Sequence, residues 1–278
     1  MNSIIHTIFL SLFCAFGVFG YNSDIAHSAV WLSGAAYCGK ENYKTMKLAG
    51  PATDFIVGDV LYDPKTDLQG YTGVLKSDTS IYVVFRGSSS KLNWMADFEV
   101  IKDEYLTFPE CGCNVHHGFY KATKNLKDDV IKSVKALKQK YGYSNVIVTG
   151  HSLAAAVGQM IGMELAAVNI KHKVYNFGQP RVGDKNYAHF VNLISEELYR
   201  FTHDKDMVPH VPPREIGFLH SCREIFEDKS GKLKECSADD GEDPACADQY
   251  SIVKTNTDDH SIYLGHYLNC GNSTTNIN

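Results

Sequence analysis

Hydrophobic and polar positions change period several times along the chain, and each change marks an element. Asp24 to Cys38 is alanine-rich, with apolar Ile25, Ala29, Val30 and Leu32 behind a capping-type Ser23, which predicts a helix. Three strand-like runs follow, near Phe55 to Leu61, Tyr71 to Leu75 and Ile81 to Phe85. Asp, Pro, Gly and Ser punctuate them, so they predict a meander. From Phe119 to Tyr141, apolar Phe119, Leu126, Val130, Val134, Leu137 and Tyr141 recur at spacings of three, four or seven, the pattern of an amphipathic helix. Its other face is lysine-rich, and Asp128 and Asp129 interrupt the charge, so it reads as a solvated face rather than a lipid surface. From Asn145 onward strands and helices alternate. A β-branched strand at Val146 to Val148 leads into a small-residue helix after Ser152. A strand at Lys173 to Phe177, a helix near Lys185 to Ile194 and a strand at Leu198 to Thr202 complete the series. Such alternation builds a parallel sheet covered on both faces.

The turn at Thr149-Gly150-His151-Ser152-Leu153-Ala154 joins the first strand and helix of that series. A strand, a tight Gly-x-Ser-x-Gly turn and a helix lift a serine hydroxyl above the carboxyl edge of a sheet, and the helix N-terminus favours negative charge developing there. Ala154 stands where the second glycine usually does. The helix still suits close packing, because Ala154, Gly158, Gly162 and Ala166 recur every four residues and make a thin stripe. Gln159 and Glu164 break up the apolar run, which is too short to cross a bilayer, so a membrane dimer face is excluded.

The chain has 278 residues, and no linker rich in Pro, Gly or Ser divides it, so residues 21–278 are expected to form one domain. The net charge of −5 gives no footprint for nucleic acid. The first twenty residues hold no Lys, Arg, Asp or Glu, and Ile8 to Gly20 is almost wholly apolar, which predicts a signal peptide over 1–20 and a secreted, extracellular protein. An uncleaved anchor is the competing reading, since the n-region lacks Lys and Arg. Of eight cysteines, Cys14 leaves with the signal and seven remain. Secretion favours disulfides. Cys38 with Cys270 and Cys236 with Cys246 are the preferred bridges, and Cys111-Gly112-Cys113 could close a small ring, leaving Cys222 over. A hairpin turn at Asp228-Lys229-Ser230-Gly231 would instead bring Cys222 close to Cys236. His116 and His117 lie near Cys111 and Cys113, yet adjacent histidines on a strand point apart and no second ligand pair follows, so no metal is expected. The acidic stretch Asp239 to Asp243 lacks calcium-loop spacing.

Ser152 needs a base oriented by a third group. In the order nucleophile, acid, base, Asp206 follows the strand ending at Thr202, and His260 lies near the C-terminus. Order and spacing favour His260 only slightly over His266, His210 and His220, and Asp204, Asp258 and Asp259 compete with Asp206.

Five segments narrow these choices: Val84 to Ser90, Asn93 to Asp97, Thr149 to Leu153, Phe177 to Gly183, and Asp206 to Pro213. Together, and in this order, they resemble the fungal-type (class 3) triacylglycerol lipases over essentially the whole chain after the signal. The resemblance implies an α/β-hydrolase fold, a central mostly parallel sheet with helices on both faces and a short helical lid. It implies Ser152 as nucleophile, Asp206 as acid and His260 as base, with Ser88 and the N–H of Leu153 as oxyanion hole. It implies a lid over roughly Ser89 to Asp97 whose Leu92, Trp94 and Met95 cover the site in water and open onto lipid, with Arg86 and Asp97 tethering its base. The activity implied is hydrolysis of acylglycerol esters at an oil–water interface, without cofactor, by a monomer that touches lipid transiently through the lid. A phospholipase A1 or feruloyl-type esterase would share the triad. A catalytically silent lipase-like binding protein is the reading from another class, suggested by Ala154. That all three triad types and the oxyanion serine are present opposes it.

Overall fold

The computed structural model describes residues 20–88, 100–195, 197–236 and 241–275. Helix α1 (Ser23–Ala35) opens the described chain. Its cap is Asn22 rather than Ser23: the Asn22 carboxamide oxygen accepts the Ile25 N–H at 3.0 Å. A single 3₁₀ turn, Ala36–Cys38, finishes the segment read as helix from sequence.

The meander forms as expected from β1 (Phe55–Asp63), β2 (Leu68–Leu75) and β3 (Ser80–Phe85), paired antiparallel in turn. A small hairpin of β4 (Lys102–Glu104) and β5 (Asn114–His116) leads into α2 (His117–Tyr141). Then β6 (Asn145–His151), α3 (Leu153–Ala167), β7 (Lys173–Phe177), α4 (Lys185–Ile194) and β8 (Leu198–His203) alternate. Strands β3, β6, β7 and β8 run parallel. Two further strands extend the sheet: β9 (Glu224–Glu227), parallel to β8, and β10 (Leu233–Glu235), antiparallel to β9. The eight-stranded order is β1-β2-β3-β6-β7-β8-β9-β10. A two-residue ladder of β11 (Ile262–Tyr263) and β12 (His266–Tyr267) and the short α5 (Cys270–Ser273) follow.

The period of two within each strand sends alternate side chains to two cores. Ile81, Val83, Phe85, Val146, Val148 and Val174 pack with α2 and α3 on one face. Tyr82, Val84, Ile147, Tyr175 and Phe177 pack with α1 on the other. Helices therefore cover both faces of a mostly parallel sheet, the α/β-hydrolase arrangement. The stripe on α3 seats that helix on the sheet: a Cβ on Gly162 would lie 3.0 Å from a Val174 methyl, and one on Gly158 would lie 3.1 Å from the Asn176 side-chain oxygen.

Cys38–Cys270, Cys111–Cys113 and Cys236–Cys246 are bonded. The hairpin turn at Asp228 exists, with Gly231 N–H donating to the Asp228 carbonyl, but its register sets Cys236 opposite Glu224, and Cys236 is bonded to Cys246 rather than to Cys222. Cys222 is bonded as well, so the leftover thiol expected from sequence does not occur among the described residues, and its sulfur also accepts a hydrogen bond from Asn192. No helix among the described residues is long and apolar enough to cross a membrane.

Candidate active site

Strand β6 ends at His151, and the chain then turns through Ser152 at φ 65°, ψ −135° before α3 begins. A non-glycine residue held there stores about 1–3 kcal/mol of strain, which its surroundings must impose. They do so by close approach. A Cβ on Gly150 would stand 2.6 Å from the carbonyl oxygen of Ala154, so strand and helix can meet this tightly only at a glycine. On the opposite side a Cβ on Gly87 would lie 2.6 Å from the His151 carbonyl oxygen and 3.1 Å from Ser152 Cβ. The Ser152 N–H donates to the Phe177 carbonyl at 3.0 Å, pinning the turn to the end of β7.

Asp206 lies just beyond β8 and His260 on the loop before β11, and the fold brings them together. The Asp206 carboxylate accepts the His260 Nδ1–H at 2.7 Å, with both side chains 1% exposed. Its Oδ1 accepts the Val208 N–H at 2.8 Å, and Tyr263 donates its hydroxyl to Oδ2. Burial, and then the neighbouring Asp206 charge, push the Tyr263 phenol well above its ordinary range, so it stays a donor. His260 Nε2 is buried and has no hydrogen-bond partner among the described residues. Gly178 is the floor beneath this ring: at φ +57°, a Cβ there would be 2.7 Å from His260 Cε1.

Two side chains that sequence reasoning did not assign complete the frame. His151 Nε2 donates to the His260 carbonyl at 2.7 Å, which fixes its proton on that nitrogen, and Tyr37 donates its hydroxyl to His151 Nδ1 at 2.6 Å. The rings of His151 and His260 lie 4.3 Å apart. The elbow and the loop bearing His260 are thus joined directly through the residue before Ser152. The only trace of this in the sequence is the adjacency of His151 to the serine.

The competing candidates lie elsewhere. His266 bonds Ser273, His220 the Pro209 carbonyl, Asp204 the Tyr250 hydroxyl, and Asp259 the Asn256 side chain. Near the Cys111–Cys113 disulfide, His117 pairs with Asp103 at 2.9 Å, while the His116 ring packs on Phe119. Ser88 follows Gly87 and is half-buried, and Leu153 supplies the first N–H of α3. Among the described residues Arg86 pairs with Asp67 at 2.9 Å. Leu92, Trp94, Met95 and Asp97 lie outside the described residues.

The family model of lipase (class 3) matches residues 82–216. A lipase of Rhizomucor miehei is 34% identical over 198 residues, 68% of this chain and 53% of its own length. The chain belongs to the class 3 lipase family. Another relative within it, the secreted mono- and diacylglycerol lipase A of Penicillium camembertii, is 31% identical over 192 residues, 68% of this chain and 60% of its own length. The match thus spans between half and two thirds of these curated relatives. Among solved structures, the native propeptide complex of Rhizomucor miehei lipase superposes with a TM-score of 0.80 at 28% identity, covering 91% of this chain and 84% of that one. A triacylglycerol lipase whose catalytic centre is described as a serine protease triad superposes at 0.81 and 28% identity, covering 90% and 98%. The class 3 lipase fold accordingly extends well past the matched segment 82–216.

Proposed function

We propose that this protein is a secreted serine esterase or lipase that hydrolyses carboxylic ester bonds of acylglycerols through Ser152, His260 and Asp206. The observation that carries the reading is the buried Asp206–His260 pair, whose free Nε2 belongs to a ring lying 4.3 Å from, and tilted against, that of the residue preceding Ser152. The Asp206 carboxylate holds the imidazole proton on Nδ1, so Nε2 offers its lone pair and takes the Ser152 proton as the hydroxyl attacks the ester carbonyl. Asp206 stabilises the imidazolium, which returns the proton to the leaving alcohol. Water then repeats the sequence on the acyl-enzyme. The N–H of Leu153, at the start of α3, and Ser88 receive the oxyanion, where donors fixed in advance act mainly on the transition state. None of these steps calls for a metal or cofactor.

Acylglycerol is favoured as substrate because both curated relatives described above are lipases, one of them named for mono- and diacylglycerols. Apolar Leu92, Trp94 and Met95, outside the described residues, are proposed to meet the lipid surface, as the family resemblance implies, and residues 1–20 to direct export. The protein acts as a monomer touching the oil–water interface transiently. A panel of triglyceride emulsion, phospholipid vesicles, a soluble short-chain ester and a feruloyl ester tests the assignment. The emulsion should be turned over fastest, with the rate rising sharply once the short ester passes its solubility limit. Preference for vesicles or for the feruloyl ester would replace it with a phospholipase or feruloyl esterase reading. Ser88→Ala should lower kcat by roughly 10²-fold at little change in KM.

A further inference from the structure

Behind the Asp206 loop lies a small cavity walled by Arg181, Arg200, His210, His220, Glu224 and Glu242. Most polar atoms of this wall are engaged. Arg181 holds Glu242 through two hydrogen bonds of 2.7 Å. Arg200 donates to the carbonyls of Ser221 and Gly241, and Glu224 accepts from Thr202. Three atoms have no partner among the described residues: Arg200 Nη1, His210 Nε2 and His220 Nδ1. Their side chains belong to residues that are 0%, 7% and 4% exposed. Leaving such groups buried and unpaired is costly, most of all where the group is charged. All three residues line the same space, which leaves about 10 Å³ for the centre of a water molecule, room for one.

The chemistry of the three atoms narrows the occupant. The Pro209 carbonyl can only accept, so the His220 proton sits on Nε2, 2.8 Å from it, and Nδ1 presents a lone pair. Arg200 Nη1 presents an N–H. The ligand must therefore accept from one side and donate to the other, which a halide cannot do. Charge points the same way. Arg181 and Arg200 face Glu224, Glu242 and Asp248, leaving no positive excess for an anion. Burial, reinforced by the neighbouring guanidinium groups, pushes both histidines below their ordinary range, so they stay neutral near pH 7.

We propose that this cavity binds a single structural water that joins Arg200 on β8 to His210 and His220 and thereby helps to fix the loop following Asp206. That loop begins with the one-turn helix Val208–His210, and its carbonyls are already gripped from this side. His220 holds Pro209, while Arg181 holds His210 at 2.6 Å and Pro212 at 3.1 Å through Nη1, and Val211 through its main-chain N–H. The water adds a link from the His210 ring to the central sheet, making His210 a positioning residue for Asp206. This last role rests on Asp206 being the triad acid, whereas the water site does not.

Diffraction from the whole protein at about 1.5 Å resolution, with and without a bromide soak, tests the site. The expected result is one compact density peak within hydrogen-bond reach of Arg200 Nη1, His210 Nε2 and His220 Nδ1, with no anomalous bromide signal. An empty cavity, or a bromide peak in it, overturns the proposal. Kinetics on a soluble ester test the positioning. His210→Leu removes one partner of the water and should lower kcat about tenfold at unchanged KM, a misplacement effect, while His210→Gln restores it to within about twofold. Unchanged kcat in both variants would overturn the positioning role. If His210→Leu fails to fold, a kcat near that of the natural protein in His210→Gln, together with the density, supports the proposal, and an inactive but folded His210→Gln overturns the positioning role. A natural protein with no esterase activity would sink the proposed function, with the density still deciding the water.

Discussion

A Cβ on Gly150 would press into the Ala154 backbone, whereas the methyl of Ala154 itself is fully buried within the α3-side core. The close approach that shapes the elbow is therefore borne by the first glycine of the motif, and the alanine at the second position is a packed residue rather than a defect. Gly150→Ala should push strand and helix apart and lower kcat on a soluble ester by about 10²-fold or more. Ala154→Gly should change kcat less than about tenfold and cost roughly 1 kcal/mol in a thermal melt, since glycine early in a helix is less favourable and a methyl is lost from the core. Natural protein that is inert until Ala154→Gly restores it would revive the silent-binder reading. The pairing of Asp206 with His260 was legible only through the five segments that resemble a known family, since chain order and spacing left His266, His210 and His220, and Asp204, Asp258 and Asp259, open. Tyr37 and His151 were not, since they meet across 114 residues and no local pattern encodes that.

Strand β9 shows why parts of the sheet escaped a reading by hydrophobic pattern. Its residues are Glu224, Ile225, Phe226 and Glu227, all buried, and the flanking acids mask a core strand as a loop. Partners found only in three dimensions make that burial tolerable: Thr202 and the Ala247 N–H for Glu224, the Leu264 N–H for Glu227. Strands β7 and β8 and helix α4, by contrast, follow apolar periods that no buried charge interrupts except Arg200 at the middle of β8. At the C-terminal end, His266 in β12 stacks on Trp31 at 4.3 Å and bonds Ser273 in α5, so it ties both to α1. Burial lowers its pKa from 6.5 to about 4. The unfolded chain binds the proton first, so the stability owed to neutral His266 is complete above about pH 6.5 and is lost as pH falls toward 4. Unfolding free energies from urea titration at pH 7 and pH 4.5 should therefore differ by at least about 1 kcal/mol more in the natural protein than in His266→Gln. Equal differences in the two proteins would show that the imidazole titrates alike in the folded and unfolded states.

Across the whole molecule, the two cores on either face of the sheet are closed by a bridge between distant parts of the chain. Cys38–Cys270 spans 232 residues and joins the turn after α1 to α5. Closing so long a loop in the unfolded chain should contribute about 3–5 kcal/mol, so replacing both cysteines by alanine should lower the unfolding free energy from urea titration by that amount. Turnover should survive at low temperature, because the bridge lies outside the set of contacts around His260. Loss of the bridge with no change in stability would mean that the packing of α1 on the sheet suffices. On the proposed mechanism this fold holds one activated serine, Ser152. Labelling the natural protein with a fluorophosphonate and mapping the adduct by mass spectrometry tests it most directly. One adduct is expected, on Ser152, absent from Ser152→Ala and slowed by orders of magnitude in His260→Ala; no adduct on the folded natural protein, or an adduct on another serine, would overturn the assignment.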